Sequence, residues 1–194
     1  MLINETVNPD DIDINSVRLI KPSVLYMKSY IEADNENIAA NIYEFPPLAY
    51  DYIKDSNSFR DYIDLLARNE RGADLSEGRA PYSSFWLVDE KNKIFIGQSA
   101  LRHFLNDTLR VFGGHIGYCV RPSCWGRGFG TKQLELLLPE AKKLGINNVR
   151  LTCYGENKSS ARVMEKNGAR IVGEVYNKIA GINKLTLIYE INLL

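Results

Sequence analysis

The hydrophobic pattern in the first part of the chain predicts one short strand and two helices. Alternation over Ile14–Ile20 predicts the strand, and Val24–Ala33 is predicted to form a helix behind a serine N-cap. Asn35–Tyr50 is predicted to be irregular because two consecutive prolines exclude a helix there. Apolar residues at helical spacing predict a second helix over Ser58–Arg68, and the glycine-containing segment Arg71–Pro81 is predicted to be a loop.

From residue 84 onward the pattern changes to strands that first follow one another and then alternate with helices. Ser84–Val88 and Ile94–Arg102 are predicted strands joined as a hairpin, and His115–Val120 is a third strand. An amphipathic helix is predicted over Gly126–Lys143. The later predicted elements are the strand Asn148–Cys153, the helix Ser159–Asn167 and the strands Arg170–Val175 and Lys184–Asn192. This order predicts an α/β protein of mixed α+β type, with a mixed sheet and helices on both faces.

Length and composition narrow the class of protein further. The chain has 194 residues, of which 45% are hydrophobic and 25% are charged, so one globular domain over residues 1–194 is expected. No apolar run approaches the roughly 18 residues of a membrane span, and the first residues do not resemble a signal peptide. Three cysteines exclude a disulfide framework. We therefore expect a cytoplasmic protein without a membrane partner.

The charge balance conceals a gradient along the chain. There are 24 basic and 24 acidic residues in total, which argues against a nucleic-acid partner. Residues 1–61 hold 11 acidic and 5 basic residues, 62–120 hold 7 of each, and 121–194 hold 6 acidic and 12 basic residues. The two ends of the chain can therefore favour ligands of opposite charge, unless folding mixes the charges in space.

A glycine-rich turn is the most informative segment. Gly126, Gly128 and Gly130 stand between the strand His115–Val120 and the helix that follows. Glycines there let backbone N–H groups approach a ligand, and a helix N-terminus attracts phosphate. The segment lacks the Walker and Gly-x-Gly-x-x-Gly patterns, so nucleotide binding of those classes is poorly supported. Phosphate binding and a simple tight connection both remain open on this pattern alone.

Two motifs resemble those of the GNAT superfamily of acyl-CoA N-acyltransferases. Trp125–Gly130 matches the family signature Gln/Arg-x-x-Gly-x-Gly/Ala at all but the first position, where the tryptophan is similar to the ribosomal-protein N-terminal acetyltransferase-like branch. Asn157–Gly168 resembles the second motif, Asn-x-x-Ser…Glu-Lys-x-Gly. Leu101–His103 and Gly113–Tyr118 are similar to segments of an uncharacterised bacterial group of predicted acetyltransferases.

The resemblance implies a GNAT fold and acetyl-CoA as the co-substrate. Its central sheet would be mostly antiparallel and splayed at the cofactor site, between the third strand and Asn148–Cys153. The turn would hold the pyrophosphate and the preceding strand the pantetheine arm, while Asn157 and Ser160 would touch the cofactor from the next helix. The strand and turn residues that would bind the cofactor in this way are Tyr118, Cys119, Val120, Trp125, Gly126, Arg127, Gly128, Phe129, Gly130 and Thr131. The basic side chains expected nearest to it are Arg121, Arg127, Lys132, Lys158 and Arg162.

Acetyl transfer to an amine requires a group that removes a proton, because an ammonium has no lone pair. His115 stands where some family members carry a base, and an imidazole pKa near 6.5 suits that role; a structural histidine is the alternative. Many family members have a tyrosine acid where this chain has Met164, so Tyr154 is a substitute candidate, unless the thiolate leaves unaided. A backbone N–H near Val120 would meet the oxyanion.

The acceptor and the remaining alternatives follow from these assignments. Residues 1–83 are expected to form the acceptor side and 84–194 the acetyl-CoA-binding core. The acceptor would be a small-molecule or peptide primary amine that attacks directly in a ternary complex, and the acidic first segment favours a cationic one. Cys119 shares a strand face with His115, so a Cys–His nucleophile is one interpretation of this pair; a small buried thiol is the more common one. No metal is expected because the usual Cys/His spacings are missing. A non-catalytic acyl-CoA-binding module, a nucleotide-binding domain of another class, and a monomer or a homodimer remain open.

Overall fold

The computed structural model describes residues 11–42, 55–73, 75, 78–179 and 182–194. The strands are β1 (Arg18–Ile20), β2 (Tyr82–Asp89), β3 (Ile94–Arg102), β4 (Ile116–Val120), β5 (Asn148–Tyr154), β6 (Arg170–Ile179) and β7 (Ile182–Asn192). The helices are α1 (Met27–Ala39), α2 (Ser56–Glu70), α3 (Asp107–Val111), α4 (Phe129–Lys143) and α5 (Lys158–Lys166). Short 3-10 helices cover Val24–Tyr26 and Pro122–Cys124.

The strands form two antiparallel sheets that meet between β4 and β5. One sheet has the order β1-β2-β3-β4 and the other has the order β5-β7-β6. The hairpin predicted between β2 and β3 is present, with Asp89 opposite Ile94. No ladder joins β4 to β5 in the described part of the chain, so the sheet is interrupted at the place where the sequence predicted a splay.

Side-chain alternation along β2 shows that helices cover both faces. Trp86 and Val88 are buried in one aromatic cluster with α1 and α2, which includes Tyr30 and Phe59. Leu87, one position away, faces the opposite side and packs in a cluster with Phe129 at the start of α4. Because successive residues of a strand point to opposite faces, a fully apolar strand requires cover on both sides. The predicted fold class, with a mostly antiparallel sheet and helices on both faces, is confirmed.

The first helices differ in part from their predicted bounds. α1 continues to Ala39, beyond the predicted end at Ala33, and the two prolines of the predicted irregular stretch lie outside the described residues. α2 begins at a capping box, in which the Asp55 carboxylate accepts the N–H groups of Asn57 and Ser58. No described helix combines the length and the apolar character that crossing a membrane requires.

One helix was not predicted at all. α3 has five residues, and its first turn is capped by the side chain of Asn106, which accepts the N–H of Leu109 at 2.8 Å. The Asn106 amide also donates to the carbonyl of Gly78 at 2.6 Å, which ties the loop before β2 to α3. Polar residues dominate this segment, so its hydrophobic periodicity was too weak to indicate a helix.

Candidate active site

The start of β4 is fixed to β5. The His115 N–H donates to the carbonyl of Arg150 at 2.7 Å, and the Arg150 N–H donates to the imidazole Nδ1 of His115 at 2.9 Å. Gly114 allows this close approach: it has a φ of 63°, and a Cβ at this position would lie 2.9 Å from the Cα of Leu151. Arg102 supports the same turn by donating to the carbonyls of Gly113 and Gly114 at 3.3 and 3.0 Å.

The end of β4 is open. The Arg121 N–H donates to Ile96 of β3 at 2.8 Å. Since the backbone groups of successive residues in an antiparallel strand face alternate sides, those of Val120 and Tyr118 face away from β3, toward the opening beside β5. The Val120 carbonyl accepts the indole N–H of Trp125 at 2.7 Å, and the Trp125 side chain is 52% exposed. The open end therefore presents backbone groups that a bound molecule can reach.

The glycine-rich turn places an uncapped helix start beside that opening. Gly126 and Gly128 have φ values of 74° and 88°, and Gly128 is the N-cap of α4, where no side chain caps the helix. Gly130 lies in the first turn of α4, and a Cβ there would be 3.3 Å from a methyl group of Val163 in α5. The absence of a capping side chain leaves the positive end of the α4 dipole to a ligand, which suits a phosphate group.

The basic residues near this turn do not all remain available to an anion. Arg121 is 6% exposed and turns toward α1, where its guanidinium pairs with Glu36 and donates to Ser29 and to the carbonyl of Phe95. This arrangement contradicts the expected place of Arg121 beside the cofactor. Lys132 pairs with Glu135 at 2.9 Å on α4. The Arg127 guanidinium lies 5.2 Å from the ring centroid of Phe129.

The start of α5 closes the opposite side of the gap. The Asn157 side chain caps the helix by accepting the N–H of Ser160 at 2.9 Å. The Tyr118 hydroxyl crosses from β4 and lies 3.0 Å from the Ser160 hydroxyl. Burial raises the pKa of Tyr118 to about 12, so this phenol stays protonated at neutral pH.

A cavity of about 410 Å³ lies on the face of β3 that α2 covers. Across the ladder, Gln98 of β3 is opposite Cys119 and Ala100 is opposite Gly117, so the cavity lies one strand away from the open edge of β4. Its described lining comes from β2, β3, α2, α3 and the loop before β2: Tyr62, Leu66, Gly78, Arg79, Ala80, Tyr82, Ser84, Gln98, Ser99, Ala100, Arg102, Asn106, Thr108 and Leu109.

Comparison with protein families identifies the family of this chain and the class of reaction. The family model of the acetyltransferase (GNAT) domain matches residues 25–170, which is more than half of the chain. The chain belongs to the GNAT acetyltransferases. It is therefore an acyltransferase enzyme. Curated protein sequences give no significant match.

Solved structures of other GNAT acetyltransferases have the same fold at low sequence identity. The ribosomal-protein-S5-alanine acetyltransferase from Vibrio fischeri is 13% identical with a TM-score of 0.68, over 93% of this chain and 95% of that one. The microcin C7 self-immunity acetyltransferase MccE, solved with acetyl-CoA and AMP, is 15% identical with a TM-score of 0.66, over 92% and 93%. A GNAT acetyltransferase from Bacillus anthracis is 19% identical with a TM-score of 0.60, over 91% and 95%.

In this GNAT acetyltransferase the position of His115 argues against the predicted role as a base. Its Nδ1 already accepts the Arg150 N–H, so the neutral ring carries its proton on Nε2. Burial, followed by the nearby Arg150, Arg110 and Arg102, lowers the pKa of His115 to about 4. An imidazole with that pKa is a weak base at neutral pH, and its contacts give it a structural role between β4 and β5.

The structure places Tyr154, the predicted substitute acid, away from the core that contains Met164. Cys153 points into the core that contains Met164, so Tyr154, the next residue, points to the other face of β5. Its ring lies 5.9 Å from that of Phe112, and the Lys184 ammonium is 4.5 Å from its centroid. The hydroxyl that reaches the start of α5, at Ser160, belongs to Tyr118, which the sequence had placed only among the cofactor-binding residues.

Cys119 does not form a nucleophilic pair with His115. Burial raises the pKa of Cys119 to about 11, so its thiol is protonated at neutral pH. His115 is engaged by the backbone of β5 instead. Among the described residues, His, Cys, Asp and Glu side chains form no group of three that could hold a metal ion.

The cavity contains functional candidates that sequence reasoning missed. Arg79 was assigned only to a loop, and Arg102 was quoted only as part of a family-like motif. Contacts between Arg102 and the turn at Gly113 and Gly114 show that the two family-like segments lie against each other. Their separation by ten residues in sequence gave no indication of this contact.

Proposed function

We propose that this acetyltransferase moves the acetyl group of acetyl-CoA to a primary amine by direct attack in a ternary complex. One observation carries the proposal: the helix start at Gly128 has no side-chain cap and lies beside the open end of β4. A phosphate-bearing ligand with an extended amide arm fits this combination, because the helix start attracts phosphate and the strand edge pairs with amides.

The residues that would hold the cofactor lie on both sides of the opening. Backbone N–H groups from Trp125 to Thr131 would bind the pyrophosphate, and the outward-facing backbone groups of Tyr118 and Val120 would pair with the pantetheine arm. Asn157 and Ser160 would contact the arm from α5. When bound, acetyl-CoA supplies the activated acetyl group as a thioester. A backbone N–H at the end of β4 would then stabilise the oxyanion.

The cavity on the α2 side is the proposed acceptor site. It is supported by its position one strand from the open edge of β4 and by a volume typical of sites for small ligands. The expected acceptor segment and the rest of the chain both contribute to the lining. Residues 1–83 supply Tyr62, Leu66, Gly78, Arg79, Ala80 and Tyr82, and the remainder comes from Ser84 of β2, from β3 and from α3 with its N-cap Asn106. We therefore propose an acceptor site shared by both parts of the chain.

Proton transfers in this site need few side chains. The described lining of the cavity includes no carboxylate and no imidazole, so we propose that the amine loses its proton to water. The Tyr118 hydroxyl is the proposed proton donor to the departing thiolate, because it lies between β4 and α5 and burial keeps it protonated. It would take the role of the tyrosine acid that many family members have at the position of Met164.

Thiol release from acetyl-CoA in the presence of an amine panel tests the function. We expect turnover with at least one class of amine, and binding of acetyl-CoA without any turnover would instead favour the non-catalytic module. Calorimetry with acetyl-CoA, ATP and NAD separates the nucleotide-binding alternative, which requires ATP or NAD to bind more tightly than acetyl-CoA.

A matched pair of variants tests the proton donor. Tyr118→Phe should lower kcat about tenfold while the Kd for acetyl-CoA changes little, because only a proton donor is removed. Tyr154→Phe is the control: it also removes a tyrosine hydroxyl, but from the face of β5 that points away from Met164, and it should leave kcat within about twofold. Equal effects of the two substitutions would contradict the assignment.

A further inference from the structure

The acceptor cavity has an unusual charge. Two arginines, Arg79 and Arg102, belong to its described lining, which includes no acidic residue. Among the residues that the structure describes, no carboxylate lies within ion-pair distance of either guanidinium. Arg102 is half-buried and Arg79 is exposed at the cavity wall. Burial lowers the pKa of Arg102, Tyr82 opposes this shift and Arg79 adds to it. Two like charges that pair with no described carboxylate favour the arrival of an anion.

Two other partly or fully buried arginines of this protein have a carboxylate partner. Arg121 pairs with Glu36, and Arg150 pairs with Glu190 at 2.6 Å. Arg102 instead donates to the carbonyls of Gly113 and Gly114 through one nitrogen, Nη1, so the rest of its guanidinium is left toward the cavity side. The partners of Arg102 are neutral carbonyls, so its partly buried charge has no counter-charge among the described residues, and its place in a cavity is consistent with a ligand that neutralises it.

The geometry of β3 separates the two ends of the cavity. Gln98 lies opposite Cys119 in β4, near the open edge where the transfer is proposed. Arg102 follows four residues later on the same face, which corresponds to about 13 Å along a strand. Tyr82 is directly opposite Arg102, and its hydroxyl accepts the Asn69 amide at 2.9 Å. A ligand that fills the cavity would therefore extend from Gln98, on the strand next to the open edge of β4, to the two arginines.

We infer that the acceptor is an amine that also carries an anionic group, such as a carboxylate or a phosphate, which Arg79 and Arg102 bind at the end of the cavity remote from the open end of β4. This inference rests on the proposed function. It opposes the expectation that the acidic first segment selects a cationic amine. Two acidic residues of that segment serve the fold: Glu36 pairs with Arg121 and Asp55 caps α2.

The test compares amines that differ only in the group at their far end. Thiol release from acetyl-CoA is measured with ω-amino carboxylates of three to six carbons, the n-alkylamines of the same length and the matching α,ω-diamines. We expect the best carboxylate to exceed its alkylamine and its diamine by at least about tenfold in kcat/KM, the effect of one charge-assisted hydrogen bond. Equal values, or a preference for the diamine, would overturn the inference.

Variants then locate the anion. Arg79→Gln should reduce the carboxylate-to-alkylamine ratio about tenfold, whereas Arg60→Gln removes an exposed arginine of α2 that does not line the cavity and should leave the ratio unchanged. Arg79 is chosen because Arg102 also supports the turn before β4, so its replacement would disturb the fold. A ratio that Arg79→Gln does not change contradicts the assigned site.

A binding measurement separates this inference from the proposed function. If no amine of the panel is acetylated, the proposed function fails on these acceptors, while calorimetric titration of 6-aminohexanoate and hexylamine still tests the site. Carboxylate binding that exceeds hexylamine binding about tenfold, and that weakens about tenfold in Arg79→Gln, supports the inference. Equal binding of the two compounds overturns it.

Discussion

The two ends of β4 show how this protein opens a sheet at one chosen place. At the start of the strand, Gly114 and His115 lie against Arg150 of β5 and share two hydrogen bonds with it. At the end, Val120 and Tyr118 turn their backbone groups toward β5 but have no ladder with it. The strand is five residues long, so a joint at one end and a divergence at the other produce a wedge-shaped opening. The joint sets the position of the opening, and the uncapped helix start at Gly128 lies beside it.

The largest effect is expected from breaking the joined end. Gly114→Ala forces a side chain into the left-handed region and against Leu151, so the free energy of unfolding should fall by about 2 to 4 kcal/mol. Chemical denaturation measures this change. Gly145→Ala is the control, since Gly145 has a φ of 77° with no atom near its missing Cβ, and it should cost about 1 to 2 kcal/mol. Equal losses would show that the close approach at Gly114 has no energetic role.

The next effect concerns the open end. Thr131→Glu places a negative charge in the first turn of α4, which favours the helix dipole but repels a pyrophosphate. We expect the Kd for acetyl-CoA to rise about 30-fold without a loss of thermal stability. Thr131→Gln has the same shape without the charge and should change the Kd less than about threefold. An unchanged Kd in Thr131→Glu would remove the anion site from the start of α4.

A smaller effect distinguishes the two possible roles of His115. Its folded pKa of about 4 lies below the unfolded value near 6.5, so the unfolded state binds the proton first and stability is lost as the pH falls from about 6.5 toward 4. His115→Gln should remove part of this loss, about 1 kcal/mol at pH 5, as measured by denaturation at several pH values. In the same variant, the pH–rate profile above pH 6.5 should keep its shape. A profile that loses an ionisation near neutral pH would restore His115 as the base.

The smallest expected effect is spectroscopic. Pantetheine pairing with the Val120 carbonyl would displace the exposed Trp125 indole, so acetyl-CoA should change the tryptophan fluorescence. The other tryptophan, Trp86, is fully buried beneath α1 and α2 and serves as an internal constant. Trp125→Phe should lose the change while its Kd stays within about threefold. The same change in the variant would place the cofactor elsewhere.

Local sequence patterns predicted most of the elements because their signals are local. The period of apolar residues predicted β2, β3 and α4. Glycines predicted the turn before α4, where Gly126 and Gly128 have positive φ values. The short polar helix α3 escaped prediction because its stability comes from capping by Asn106 rather than from an apolar face. The end of α1 was missed because polar residues between Asp34 and Asn37 resemble a loop in sequence.

Side-chain roles were harder to predict than the elements that carry them. Arg121 adjoins the glycine-rich turn in sequence, yet strand alternation directs it toward α1 and Glu36. The same alternation separates Tyr154 from Met164 and brings the Tyr118 hydroxyl to Ser160. The net charge of residues 1–61 did not predict the charge of the cavity. Glu36 and Asp55 of that segment serve an ion pair and a helix cap, and the described cavity lining includes two arginines and no acidic residue.

The sequence by itself determined the class of the protein: the order of strands and helices, the glycine-rich turn and the membership of the GNAT acetyltransferases. These properties depend on neighbours in the chain, where periodicity and backbone conformation act over a few residues. Only the tertiary structure decided which charges are neutralised, which hydroxyl reaches Ser160 and which arginines line the cavity. Those properties depend on contacts between residues far apart in sequence, because burial and ion pairing are set by the elements that fold against each side chain.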